Sequence, residues 1–143
     1  MMSKKTKYAL KALKLMAKEG KDRPMLIQDI STTENIPRKF LEAILLDLKR
    51  AGYVNSRMGK GGGYYLIRSA AEISIADVYR LFDGAIALLP CVSEKFYETC
   101  FDCDDEEICA LRKVFAEIRE ATYDSMEQTS IARLASLSRK KKK

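Results

Sequence analysis

The chain has 143 residues, 47% of them hydrophobic and 32% charged, which is the length of one domain with enough apolar mass to bury a core. No apolar run approaches a membrane span, and Ala85-Ile86-Ala87-Leu88-Leu89 is too short even for the core of a signal peptide, so the expected compartment is the cytoplasm. There is no histidine, which excludes histidine-dependent hydrolysis and every mixed Cys/His zinc site. The net charge of +6 is unevenly spread: residues 1–68 carry 15 Lys+Arg against 6 Asp+Glu, residues 69–138 carry 6 against 14, and residues 139–143 carry 5 against none. The balances of +9, −8 and +5 make the first segment the one suited to a polyanion.

Residues 4–19 read as an amphipathic helix, with Ala9, Leu13, Met16 and Ala17 at helical spacing, Leu10 and Leu15 widening the stripe, and Gly20 placed as a C-terminal cap. On its other face Lys14 and Lys18 read as solvated, whereas Lys4, Lys5 and Lys7 stand in the first turns where phosphate contact is expected. Pro24 opens a short helical segment with Leu26, Ile27 and Ile30, which the polar residues 31–35 are expected to end. Pro37 suits the first position of a third helix, in which Phe40, Leu41, Ile44, Leu45 and Leu48 form the apolar face and after which Gly52 closes. Two short helices joined by a tight turn, the second led by Arg38 and Lys39, make a helix-turn-helix.

Residues 53–57 alternate like a strand, Met58-Gly59-Lys60-Gly61-Gly62-Gly63 is a turn, and Tyr64-Tyr65-Leu66-Ile67 reads as the returning strand of a β-wing. The glycines do not form a phosphate loop, since the G-x-x-x-x-G-K-[ST] order is absent. They allow close approach to a DNA groove, with Arg57 and Lys60 in reach of phosphates or the minor groove. Residues 74–82 form a further helix with Ser74 and Asp77 in capping-box positions and Ile75, Val78, Leu81 and Phe82 turned inward, ended by Gly84.

All four cysteines follow, at C-x8-C-x2-C-x5-C: Cys91, Cys100, Cys103 and Cys109. In a reducing compartment such clustered thiols suit an iron-sulfur cluster or a four-thiolate zinc knuckle, with a Cys100–Cys103 thiol-disulfide switch or plain core thiols as the other readings. Neighbouring carboxylates oppose thiolate formation while no metal is bound. The chain is expected to turn helical again from Asp104, with Asp104, Asp105, Glu106 and Glu107 at the positive end of the helix dipole. Ile108, Leu111, Phe115, Ile118 and Thr122, recurring at spacings of 3, 4, 3 and 4, are the expected interface of a two-fold dimer. A last short helix is expected over 129–137, and the lysine-rich tail reads as solvated. Without histidine, a nucleophile–base pair or a nucleotide loop, nothing supports an enzyme.

The order of elements, together with Phe40-Leu41-Glu42-Ala43-Ile44-Leu45-Leu46-Asp47-Leu48, Ala51-Gly52-Tyr53-Val54 and Gly59-Lys60-Gly61-Gly62-Gly63-Tyr64-Tyr65-Leu66, resembles the Rrf2 family of dimeric winged-helix transcription regulators. The resemblance implies a mainly α fold with a small β-wing. Residues 1–83 form the winged helix-turn-helix DNA-binding domain, 84–109 a cysteine-bearing sensor loop, 104–138 the dimerisation helix and terminal short helix, and 139–143 a basic tail. It further implies double-stranded DNA and a second copy of the chain as partners, with Lys4, Lys5, Lys7 and Lys39 on phosphates and Arg38 and Glu42 reading bases. Cluster-binding members carry three cysteines before the long helix. Cys91 matches the first, Cys109 the third, and either Cys100 or Cys103 the second, for a 2Fe-2S or 4Fe-4S cluster. The sequence departs from the best-known cluster regulators at Arg112, where they have a histidine ligand; Lys7 and Tyr8 stand where other members supply a carboxylate.

Overall fold

The computed structural model describes residues 2–138, which form six helices and a two-stranded antiparallel sheet. In chain order these are α1 (Lys4–Glu19), α2 (Ile27–Glu34), α3 (Arg38–Arg50), β1 (Val54–Arg57), β2 (Gly63–Leu66), α4 (Ile75–Phe82), α5 (Ala110–Gln128) and α6 (Ile131–Leu137). The mainly helical fold with a small wing is the one expected; the tail, 139–143, lies outside the described residues.

Helix α1 begins at Ser3, whose hydroxyl accepts from the Thr6 N–H at 3.3 Å, and buries Ala9, Leu10, Ala12, Leu13, Leu15 and Met16. That stripe is broader than its apolar spacing suggests because α1 is the central helix, packed on α2, α3, α4 and α6. Leu13, Met16, Ile30, Leu41, Ile44, Leu45, Leu48, Val54, Leu66, Val78 and Ile131 form one continuous core around it. Fully burying each large side chain contributes about 1.5–3 kcal/mol. Ile131 belongs to this core because α6 folds back onto α1, as expected of a last short helix. The return is stitched by Ile75 N–H donating to Thr129 O and Ile131 N–H donating to Ile73 O, at 2.9 and 2.8 Å.

Five local expectations are corrected. Residues 31–34 continue α2 rather than ending it, and the helix stops at Asn35, which adopts the left-handed conformation (φ 53°). Pro37 is the capping residue of α3 rather than its first helical residue: its ψ of 128° is extended, while its carbonyl accepts from Leu41 N–H. Leu81 is exposed instead of turned inward, since α4 has only eight residues and buries Ala76 and Val78 through one face. Helix α5 starts at Ala110, not at Asp104. The Asp105 carboxylate accepts from Glu107 N–H and folds 106–108 into a separate 3₁₀ turn, and Cys109 is extended (ψ 114°), so the four acidic residues precede the helix instead of forming its first turn. Lys14 also departs from a solvated reading, pairing with Glu34 at 3.3 Å between α1 and α2.

In the wing Val54 pairs with Leu66, Asn55 with Tyr65, Ser56 with Tyr64 and Arg57 with Gly63. Tyr64 makes a second pairing, exchanging both backbone hydrogen bonds with Met25 at 2.8 Å, so the wing is anchored to the segment that leads into α2. Gly63 (φ 136°) permits this, because a Cβ there would stand 2.3 Å from the Met25 carbonyl oxygen. Gly63→Ala is expected to destabilise the protein by about 2 kcal/mol or more, adding backbone strain to a clash with main chain. A thermal melt within experimental scatter of the unsubstituted protein counts against the anchor.

Asp83, just after α4, reaches back to the start of α1: it accepts from Thr6 Oγ1 at 2.5 Å and from Ser3 N–H at 3.1 Å. Burial works against its ionisation, but the Thr6 and Ser3 hydrogen bonds outweigh it and hold the carboxyl below the usual carboxylate range. The folded-state value therefore lies below the unfolded one. The stabilisation is fully present above about pH 4, the unfolded value, and is lost as pH falls through the folded value. Asp83→Asn is expected to cost about 1–3 kcal/mol at neutral pH and to shrink the loss of stability on acidification, both read from urea melts between pH 7 and 3.

Candidate nucleic-acid interface and thiol cleft

Lys4, Lys5 and Lys7 are exposed on the first turns of α1, and Arg38, Lys39 and Glu42 are exposed on the first turns of α3. The two helix starts are joined by Tyr8 and Phe40, which meet edge to face with ring centroids 5.5 Å apart, next in sequence to Lys7 and Lys39. Arg38 and Glu42 form an i, i+4 ion pair at 3.3 Å, and Arg38 also donates to Gln28 Oε1 on α2 at 3.2 Å. Gln28 in turn donates to Thr32 Oγ1. Gln28 and Thr32 thus extend the polar front of the helix-turn-helix, a role not assigned to them from sequence. Their i, i+4 spacing on a short helix, with a glutamine able to pair with an adenine edge, was the available signal.

On the wing, the Arg57 guanidinium lies over the Tyr65 ring, 4.7 Å from its centroid, which fixes its direction without spending its hydrogen-bond donors. Lys60 is exposed at the tip between Gly59 and Gly61, both of positive φ. Lys49 Nζ donates to Ser56 Oγ at 3.0 Å and ties the end of α3 to β1.

The four cysteines, spread over nineteen residues of sequence, line one cleft of about 240 Å³ with Leu89, Asp102, Glu106, Leu111 and Arg112. All four are free thiols. Cys91 is buried in a 3₁₀ turn begun by Pro90; Cys109 caps α5 and is half-buried. Cys103 is half-buried, its thiol pushed up by burial and by the nearby Cys109, Glu106 and Cys91. Cys100 is exposed at the rim, its thiol raised by donation to Asp102 Oδ1 at 3.1 Å. Cys103 N–H donates to Cys100 O, a turn that links the rim thiol to Cys103. The donors are soft and all of one kind, which suits iron or another thiophilic metal. Among the described residues, no three Cys, Asp or Glu side chains are grouped closely enough to hold a single metal ion.

Two links run out of this cleft. Arg119 of α5 is only 8% exposed; it pairs with Glu94 of the cysteine loop at 2.9 Å and with Glu120 at 2.8 Å. Both Arg119 and Arg80 of α4 stack on Tyr123, 5.5 and 4.8 Å from its centroid. Sequence reasoning did not single out this buried arginine on α5; its i, i+4 spacing from Tyr123 was the available signal. The α5 stripe itself is open: Leu111, Val114 and Ile118 are 64, 52 and 41% exposed, Thr122 is exposed and Phe115 half-buried, while Ile108, expected on the same stripe, is 76% exposed in the 3₁₀ turn before the helix. Among the described residues no helix is long and apolar enough to cross a membrane.

The family described as "Rrf2: Iron-dependent Transcriptional regulator" matches residues 2–136. An rrf2-like HTH-type transcriptional regulator of Rhodobacter capsulatus is 48% identical over 121 residues, covering 82% of this chain and 81% of that protein. The HTH-type transcriptional regulator IscR of Xenorhabdus nematophila is 26% identical over 133 residues, 93% of this chain and 77% of its own. The solved structure of CymR, the global cysteine regulator of Bacillus subtilis, superposes with a TM-score of 0.80 at 27% identity, covering 97% of this chain and 98% of that one.

Proposed function

Because the chain belongs to the Rrf2 family of transcriptional regulators, which are not enzymes, we propose that it acts in the cytoplasm as a homodimeric, sequence-specific DNA-binding regulator whose affinity for DNA is set by an iron-sulfur cluster on the 91–109 stretch. The observation that carries this reading is the single cleft lined by all four thiols at the base of a helix with an open apolar stripe.

Cys91, Cys103 and Cys109 would hold the cluster from within the cleft, and Cys100 would supply the fourth thiolate from the rim. When bound, the cluster supplies iron–sulfur bonds that respond to oxidants and iron supply. The chain's own residues carry that state outward. Tying Cys91 to Cys109 fixes the loop that holds Glu94, and Glu94 holds Arg119 on α5. Arg80 and Arg119 share Tyr123, so α4 and α5 move together. Asp83 at the end of α4 grips Ser3 and Thr6, beside Lys4, Lys5 and Lys7. Release of the loop thereby alters the angle between the two readers of a dimer and their match to half-sites about one helical turn apart.

Affinity comes chiefly from phosphates, contacted by Lys4, Lys5, Lys7, Lys39, Arg57 and Lys60, whereas Arg38 and Glu42 read base edges once their mutual ion pair opens. The test is anaerobic purification and reconstitution with iron and sulfide analysis, followed by selection of duplex sites in both states. The expected result is a coloured protein with bound iron and sulfide that enriches one palindromic site, its log K falling by roughly 0.9 per neutralised phosphate per decade of salt. A colourless, iron-free protein removes the cluster, and a nearly flat salt dependence removes the DNA contacts.

The alternative thiol switch is favoured by the turn that brings Cys100 and Cys103 together. Against it, both thiols are raised rather than activated, Cys100 by its hydrogen bond to Asp102 and Cys103 by burial. Redox-dependent DNA binding by iron-free protein, lost in Cys100→Ala, would establish the switch in place of the cluster.

A further inference from the structure

Arg112 lines the thiol cleft, and its Nε is buried from solvent without a hydrogen-bond acceptor among the described residues. The Glu106 carboxylate is 3.9 Å from that nitrogen, beyond hydrogen-bond reach, and its Oε1 accepts from the Tyr97 hydroxyl. Asp102, the other carboxylate on the cleft, is exposed at the rim, where it accepts from the Cys100 thiol while that thiol keeps its proton. A guanidinium N–H removed from water and left without an acceptor is costly, and a native site that keeps one points to an acceptor that arrives with a ligand. The remaining lining groups are two leucines and the thiols, so the acceptor this cleft offers when filled is sulfur.

We propose that Arg112 donates its Nε–H to a sulfur of the group that the four cysteines hold, and that this hydrogen bond together with its positive charge raises the reduction potential of that group. The inference rests on the cluster reading above. Four thiolates give the filled cleft excess negative charge, and one-electron reduction adds another. A nearby guanidinium favours the reduced form on both counts, by Coulomb attraction and by a charge-assisted hydrogen bond to sulfur. Arg112 is thus a positioning and tuning residue rather than a ligand.

The test uses the full chain reconstituted anaerobically with iron and sulfide, as the unsubstituted protein and as Arg112→Lys and Arg112→Gln. Iron and sulfide content is measured first, and then the midpoint potential by redox titration followed in the absorption and electron paramagnetic resonance spectra. All three proteins are expected to hold the same iron and sulfide. The potential should fall in Arg112→Lys, which keeps the charge but lacks the Nε–H, and fall in Arg112→Gln, which loses the charge while its amide N–H stands where the Nε–H was. An unchanged potential in Arg112→Gln overturns the proposal, and Arg112→Lys matching the unsubstituted protein overturns the hydrogen bond. Loss of iron from both variants also overturns it, since Arg112 then holds the group rather than tunes it. Failure of the unsubstituted protein to take up iron and sulfide instead refutes the cluster reading on which the inference depends.

Discussion

Val114→Glu combined with Ile118→Glu should leave a folded monomer that binds a palindromic site about 10²–10⁴-fold more weakly than the unsubstituted protein. Both side chains are more than one third exposed, so charge there does not enter the core formed by α1, α3, α4 and α6. What it removes is the apolar seam of a second copy. Beside that seam Tyr79, Ile86, Leu88, Ile118, Thr122 and Met126 border a largely apolar cavity of about 160 Å³. Joining two readers makes the second half-site an intramolecular partner at millimolar effective concentration, and the fall in affinity is the loss of that term. Sedimentation at micromolar concentration gives the state of association, and circular dichroism gives the fold. A double variant that stays dimeric moves the interface away from α5.

Cys91→Ala, Cys103→Ala and Cys109→Ala should each abolish uptake of iron and sulfide, whereas Cys100→Ala should retain the metal under argon and lose it faster in air. The basis is position: Cys91 is buried and Cys103 and Cys109 half-buried in the cleft, while Cys100 is an exposed rim residue bound to Asp102. Removing an inner thiolate leaves no soft donor to replace it, since the other donors on the cleft, Asp102 and Glu106, are hard carboxylates. Removing the rim thiolate opens one corner to solvent and oxidants. Intact metal in Cys103→Ala with loss in Cys100→Ala would reverse the assignment of the second ligand.

The helix-turn-helix and wing were legible because period and punctuation agree there: an apolar face on 40–48, Gly52 at its end, and alternation broken by a glycine turn. The capping box of Ser74 and Asp77 was equally local and is formed on both sides. The start of α5 was misjudged because the acidic run satisfies a dipole argument, while the competing Asp105 side chain that folds it into a separate turn leaves no trace in periodicity. The cysteines were visible as a group, but their gathering in one cleft depends on the path of 84–109, which has almost no regular structure to predict. Arg112 was visible as a departure from the resembling family, yet its orphaned nitrogen, like the burial of Arg119, is a property of packing between distant segments.

The pairing of Tyr64 with Met25 has a further consequence for recognition. Main chain, rather than a flexible hinge, joins the wing to the segment that enters α2, and Lys49 with Ser56 joins it to the end of α3. Each protomer therefore reaches DNA as a single stamp, with the relative placement of its helix and wing already set. In the proposed dimer, any adjustment to the spacing of an operator comes from the joint between stamps, which assigns half-site separation to α5 and the contacts that hold it, and leaves sequence preference within a half-site free to vary without disturbing it.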